Sequence, residues 1–263
     1  MHESEIVRAR YVVVNADDFG MSPAVNHGIV QAFEKGLISS ATVMVNMPAF
    51  EEACELVHQH NWQRSIGLHL NLTSGKPLTA GMVGCHRFCD PEGHWRPRRK
   101  VIWTTRKEAL ALKAEIRAQV LACEQRGIVP THLDSHHHMH TEWGIAPIVI
   151  QAAKLHGIHA VRLALNCGMG RRGASKAHRN LAMAYRGVHN TYLRFHGLAK
   201  TAYFGDASDT AEVLQTTYAD VEVMVHPTLD ECGRLIEAQG EGLEALVTRL
   251  QIPSGAMRSY YGL

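Results

Sequence analysis

Three short runs of this sequence gather side chains that bind metals and move protons. Asn15-Ala16-Asp17-Asp18-Phe19-Gly20 holds adjacent carboxylates, and Gly67-Leu68-His69-Leu70-Asn71 holds a lone imidazole. Thr131-His132-Leu133-Asp134-Ser135-His136-His137-His138-Met139-His140 packs five imidazoles into nine residues, His132 to His140. Two consecutive carboxylates at a strand end point in different directions, so one can ligate a metal while the other takes a proton; a helix-capping turn is the competing use of such a pair. A lone strand histidine such as His69 gains meaning only if the fold brings it to the other runs. Histidine-rich tracts in tails bind metals nonspecifically, but this one follows a strand, which predicts a built site. His226-Pro227 ends another apolar run, where a general acid or an ordinary turn would sit. Arg162 is suited to orienting a carboxylate, binding substrate or making a structural ion pair.

The elements that position these runs follow from pattern. Tyr11 to Asn15 reads as a buried strand, and Ser22-Pro23 reads as an N-cap with a first-turn proline. Val25, Ile29 and Phe33 share a helical face that ends at Gly36. A strand near Ala41 to Asn46 and a helix from Ala49 to His60 come next. In Ile66 to Leu72 the leucines and Ile66 share one face, while Gly67, His69 and Asn71 share the other. If strand conformation persists beyond Thr131, period two puts His132, Asp134, His136 and His138 on one face. A charged helix spans about Arg106 to Arg126, and others lie near Ile145 to His156 and Glu241 to Leu250. Further strands are expected at Ala160 to Leu165, Ala202 to Gly205 and Val221 to Val225. About seven parallel strands in βα order, with polar residues at their C-terminal ends, predict an α/β fold of the distorted or incomplete (β/α) barrel kind. One domain is expected over residues 1–263, with a long insertion loop near 73–104 as a lid or binding loop.

Composition narrows the partners. The chain has 263 residues, a net charge of +2 and 46% apolar residues. That balance gives no nucleic-acid footprint and suits a small or neutral substrate. No apolar run approaches the ~20 residues that cross a bilayer, and the N-terminus lacks the apolar core of a secretion signal. The six scattered cysteines, Cys54, Cys85, Cys89, Cys123, Cys167 and Cys232, read as reduced thiols, so a cytoplasmic location is expected.

With those motifs in view, the sequence resembles the YdjC-like carbohydrate deacetylase family, including chitooligosaccharide deacetylases. The segments that carry the resemblance are VNADDFGMSPAVNHGI (Val14 to Ile29), IGLHLNLTSGKPLT (Ile66 to Thr79), THLDSHHHMH (Thr131 to His140) and MVHP (Met224 to Pro227), in family order. The resemblance implies a glycoside hydrolase/deacetylase type barrel holding one divalent metal ion through Asp18, His69 and His136. It implies Asp17 as catalytic base, His226 as acid, an N-acetylated carbohydrate as substrate and a homodimer as the assembled state. His132, Asp134, His138 and Arg162 are read as substrate-facing or ligand-orienting groups. The Arg/Gly-rich region from Asn166 to Asn190, with Arg171, Arg172, Arg179 and Arg186, matches nothing in the family pattern.

The reaction so implied is hydrolysis of an acetamide to acetate and a free amino sugar. Nitrogen ligands favour zinc or another late first-row ion, whereas the family is often described with magnesium, so either ion fits the reading. Two rival functions share the same residues. His132-x-Asp134 with a distant histidine imitates the triad of a non-haem iron oxygenase, but that chemistry commonly sits on an all-β jelly roll. A non-catalytic metal- or sugar-binding protein would need no spare carboxylate beside its ligand.

Overall fold

A computed structural model describes residues 10–167 and 176–263. Strand and helix alternate: β1 Val12–Phe19, α1 Pro23–Glu34, β2 Ser40–Val43, α2 Phe50–Gln59, β3 Ile66–Leu70, α3 Ala80–Val83, α4 Arg106–Gln125, β4 Leu133–Ser135 and α5 Ala146–Leu155. After these come α6 Lys176–Phe195, β5 Tyr203–Asp206, α7 Ala207–Thr216, β6 Val221–Val225, β7 Pro227–Leu229, β8 Leu235–Glu237 and α8 Leu243–Arg249. Six strands form one parallel sheet in the order β4-β3-β2-β1-β6-β5, and β7 pairs with β8 as a small antiparallel hairpin.

The sheet curls into a distorted barrel. Its gap, between β4 and β5, is spanned by the irregular stretch 160–167. Leu133 donates its N–H to the carbonyl of Ala160, Arg162 donates to the carbonyl of Leu133, and Asn166 donates to the carbonyl of Phe204. The expected strand Ala160 to Leu165 is thus reduced to a single parallel bridge at Val161, which leaves six regular strands where about seven were expected. Val161 turns its own N–H to Leu198, so the stretch follows neither neighbour long enough to build a ladder.

The central strand shows why the sequence folds this way. β1 opens with three valines, whose β-branched side chains suit a sheet covered on both faces, and Val12, Val13 and Val14 are all buried. It lies between β2 and β6, with Asn15 level with Ser40 on one side and Met224 on the other. Register slips between Ala16 and Phe19, so Asp17 and Asp18 fall in a bulge at the C-terminal edge. α1 starts as its sequence predicts: Ser22 Oγ accepts from Val25 N–H and Pro23 stands in the first turn. Gly28 lets α1 press on β7, since a Cβ there would stand 2.7 Å from the Cα of Thr228.

The expectation for the histidine run is corrected. β4 ends at Ser135, and residues His136–Thr141 form a tight turn in which His137 and His138 have φ of 54° and 56°. The strand therefore does not place His132, Asp134, His136 and His138 on one face. The stretch 73–104, expected as a long insertion loop, is mostly irregular but carries α3 and a Cys89–Trp95 bridge and buries Met82, Phe88, Trp95 and Val101 in the core. Of the Arg/Gly-rich region, residues 168–175, with Arg171 and Arg172, lie outside the described residues, and Arg179 and Arg186 fall within α6.

Candidate active site and metal centre

The bulge in β1 sends its two carboxylates apart. Asp18 has φ of 69°, a left-handed conformation that costs a non-glycine residue about 1–3 kcal/mol and that clusters at functional sites. Asp17 turns into the barrel and is gripped by Arg162, with Nη1 donating to Oδ2 at 2.6 Å and Nη2 to Oδ1 at 2.7 Å. Asn15 Nδ2 adds a donor to Oδ1 at 3.0 Å. Burial opposes the Asp17 carboxylate, but the charge and hydrogen bonds of Arg162 outweigh it and hold the group far below the usual carboxylate range.

Asp18 lies at the mouth. Its Oδ1 is 3.2 Å from Nε2 of His69, yet this buried oxygen has no hydrogen-bond partner. The two atoms make an ion pair when His69 is protonated, and with a neutral ring they are placed so that both could ligate one cation. The far side of the His69 ring is fixed by Asp134, whose Oδ1 is 2.7 Å from Nδ1, and by Thr42 Oγ1 at 3.1 Å. An imidazole tied at Nδ1 to a buried carboxylate presents Nε2 outward, the usual support of a metal-bound histidine. Burial alone would lower the His69 pKa, but Asp134 and Asp18 raise it well above the ordinary value.

His136 opens the turn after β4. Its Nδ1 is 2.7 Å from Thr73 Oγ1, and its ring centre is 6.0 Å from that of His69. Burial lowers its pKa to about 4, so the ring is neutral and able to act as a ligand at pH 7. His226, at the end of β6, faces Glu237 of β8 across 3.0 Å at Nδ1. Burial works against its charged form, but the Glu237 hydrogen bond and the charges of Asp17 and Asp18 raise its pKa.

The other sequence-predicted residues take distinct positions. Arg162 is fully buried and meets three carboxylates: besides Asp17, Nη1 lies 2.6 Å from Asp134 Oδ2, and Nε lies 2.7 Å from Glu222 Oε1. His132 is buried beneath the mouth, with Nε2 3.0 Å from Asn15 Oδ1. His138 swings away, packing edge-on against Phe204, and burial lowers its pKa to about 3. Sequence reasoning missed Asn15, Thr42, Thr73, Glu222, Glu237 and Tyr260. It also missed the buried Glu115 and Gln119 of α4, which accept from Thr79 and Asn71 and pin the loop beside His69. The two-residue spacing of Asn15 and Asp17 along the strand and the four-residue spacing of Glu115 and Gln119 along α4 were the available signals.

Among the described residues, one buried group, Asp17, His69 and Asp134, brings ligand atoms within 4.8 Å of one another and could hold a metal ion. Both of its carboxylates are already engaged by Arg162. The donor chemistry around it fits a cation nonetheless: Asp17, Asp134 and Glu222 share a single guanidinium, and Asp18, beside His69, leaves Oδ1 without a hydrogen bond.

A curled parallel α/β sheet carries carboxylates and imidazoles at its strand ends, and the sheet described is not the jelly roll on which the oxygenase alternative depends. The chain belongs to the YdjC-like protein family, whose model it matches over residues 11–250. It is 35% identical over 231 residues to a chitooligosaccharide deacetylase of Klebsiella pneumoniae, covering 83% of this chain and 81% of that protein. It is 38% identical over 146 residues to a carbohydrate deacetylase of Halalkalibacterium halodurans, where the match covers 54% of this chain and spans 60% of the relative's length. A crystal structure from Enterococcus faecalis, of a protein to which cellobiose-phosphate cleavage has been ascribed, superposes with a TM-score of 0.67 over 97% of this chain and 98% of that one at 18% identity, which establishes the shared fold. Among the described residues no helix is long and apolar enough to cross a membrane.

Proposed function

We propose that this protein is a metal-dependent carbohydrate N-deacetylase, hydrolysing the acetamide of an N-acetylated amino sugar or chitooligosaccharide-like substrate to acetate and a free amine. The observation that carries the reading is the divergence of Asp17 and Asp18: one carboxylate is clamped by Arg162, and its neighbour lies unbonded beside His69 Nε2. The names of the relatives supply the substrate class.

Asp18, His69 and His136 would hold one divalent ion. The alternative group Asp17, His69 and Asp134 would have to draw two carboxylates away from Arg162, leaving the buried guanidinium with Glu222 alone, and breaking a buried ion pair costs about 3–5 kcal/mol. When bound, the ion supplies an acidified water and polarises the acetamide carbonyl. Asp17, kept ionised by Arg162, accepts the proton of the attacking water. His226, its Nδ1 held by Glu237, protonates the departing amine, and Thr42, Asp134 and Thr73 fix the rings of His69 and His136. Two imidazoles favour zinc or a similar ion over magnesium. The six free cysteines support a reducing, cytoplasmic setting, and the exposed Leu181, Met183, Val188 and Phe195 of α6 support a homodimer.

The test is acetate release from N,N'-diacetylchitobiose and other N-acetylated sugars by metal-stripped protein reconstituted with zinc, magnesium, manganese or cobalt. Acetate that appears only after an ion is restored is the expected result. No acetate from any substrate, with an ion demonstrably bound, overturns the proposed reaction.

A further inference from the structure

The two arms that reach Asp17 from below meet at one residue far along the chain. Glu222 Oε1 accepts from Arg162 Nε at 2.7 Å, and the hydroxyl of Tyr260 donates to the other oxygen of Glu222. The ring of Tyr260 stacks on His132 with centres 4.1 Å apart and planes 19° from parallel. His132 Nε2 meets Asn15 Oδ1, and Asn15 donates to Asp17 Oδ1. Asp17, Arg162, Glu222, Tyr260, His132 and Asn15 thus form a closed ring of contacts, every member buried.

We propose that Tyr260, carried on the short turn Tyr260–Gly262, is a positioning residue for deacetylation, joining the Glu222–Arg162 and Asn15–His132 arms so that both oxygens of the Asp17 carboxylate keep one orientation. The inference rests on the reading of Asp17 as the base. Arg162 gains from such support because its own backbone lies in the irregular stretch 160–167, where its N–H bonds Leu133 and its carbonyl meets His140 but no continuous ladder runs through it. A guanidinium has donors in one rigid plane, and anchoring Nε at Glu222 fixes how the plane turns and hence where Nη1 and Nη2 meet Asp17. The Tyr260 hydroxyl donates to the Glu222 oxygen that Arg162 Nε leaves free, so the carboxyl group is held from both sides and cannot rotate away from Arg162 without losing a bond. Its ring does a second job, since the stack on His132 aims Nε2 at Asn15. Gly67 makes room for that imidazole: a Cβ there would meet His132 Cε1 at 2.5 Å.

Tyr260→Phe keeps the stack and removes only the hydroxyl; Tyr260→Ala removes both arms. Acetate release by the reconstituted parent is measured first, followed by kcat, KM, metal content and Tm of each variant. A charge-assisted hydrogen bond lost from a positioning network lowers kcat about tenfold. The expected result is that fall for Tyr260→Phe, with KM and metal content held within twofold, and a larger kcat fall for Tyr260→Ala that the phenylalanine variant partly rescues. A purely structural Tyr260 would lower Tm in both variants and leave the kcat of the folded Tyr260→Phe protein at the parent value, which overturns the proposal. If the parent itself releases no acetate, the reaction reading fails by itself, and crystal structures decide the ring: an Asp17 carboxylate turned off the Arg162 fork in Tyr260→Phe supports it, and an unmoved one overturns it.

Discussion

Replacing Arg162 by methionine keeps most of the stem but takes the shared guanidinium away from the buried carboxylates of Asp17, Asp134 and Glu222. Removing one partner of a buried ion pair costs about 3–5 kcal/mol, and three carboxylates share this partner, which places the loss at the upper end. At about 2–4 °C per kcal/mol for a chain near this size, Tm falls by roughly 10–20 °C. The pH dependence has a definite sign. In the parent, the Asp17 pKa is depressed by Arg162, so its contribution is present above the unfolded carboxylate pKa and is lost only as pH falls below it. In the variant, buried carboxylates without the guanidinium have raised pKa values, so the folded state takes up protons and the deficit shrinks as pH falls. Thermal and urea unfolding of both proteins at pH 5 and pH 8, followed by circular dichroism, measure this. A Tm loss below about 3 °C at pH 8, or a larger deficit at pH 5 than at pH 8, would refute the reasoning.

Glu222, raised from 4.5 to about 7 by burial against the pull of Arg162 and Tyr260, stabilises the fold fully below about pH 4.5 and progressively less as pH rises to 7, on the order of 3 kcal/mol across that window. Glu222→Gln removes this slope, and urea midpoints taken from pH 4.5 to 7.5 will show a flatter profile than the parent. Asp134→Asn weakens the hold on His69 Nδ1 and lowers zinc affinity about 10–100-fold, read by chelator competition. Gly67→Ala forces a Cβ to within 2.6 Å of the His132 carbonyl oxygen as well as its ring; because backbone cannot yield as a side chain does, the variant unfolds at least about 3 kcal/mol more easily in urea.

Much of this site was legible in the sequence because its anchors sit where pattern is strongest. The three valines of β1 and the alternation of Ile66 to Leu70 locate two strand ends, and Asp17, Asp18 and His69 follow from them. Val221 to Val225 is a strand with the bounds expected for it, which puts His226 at its end. The histidine run was harder, because the left-handed conformations of His137 and His138 stop the period-two alternation after Ser135, and left-handed histidines leave no compositional mark. Ala160 to Leu165 has strand composition, yet its hydrogen bonds are divided between β4 and Leu198, a tertiary choice that propensity does not encode. α7 was not anticipated from the pattern, although Asp206 caps its start by accepting from Asp209 N–H. The pairing of Tyr260 with Glu222, 38 residues apart, is invisible to any local pattern, as is the choice of Arg162 as the partner of Asp17 from 145 residues away.

The division of labour between adjacent carboxylates is the centre of the account, and Asp17→Asn tests it directly when metal content and acetate release are measured on the same sample. The account predicts one equivalent of metal retained, since Asp18, His69 and His136 are untouched, with turnover reduced about 10²–10⁴-fold by loss of the base. Turnover that survives, or metal and turnover lost together, would contradict it; the second outcome would move the ion to Asp17, His69 and Asp134.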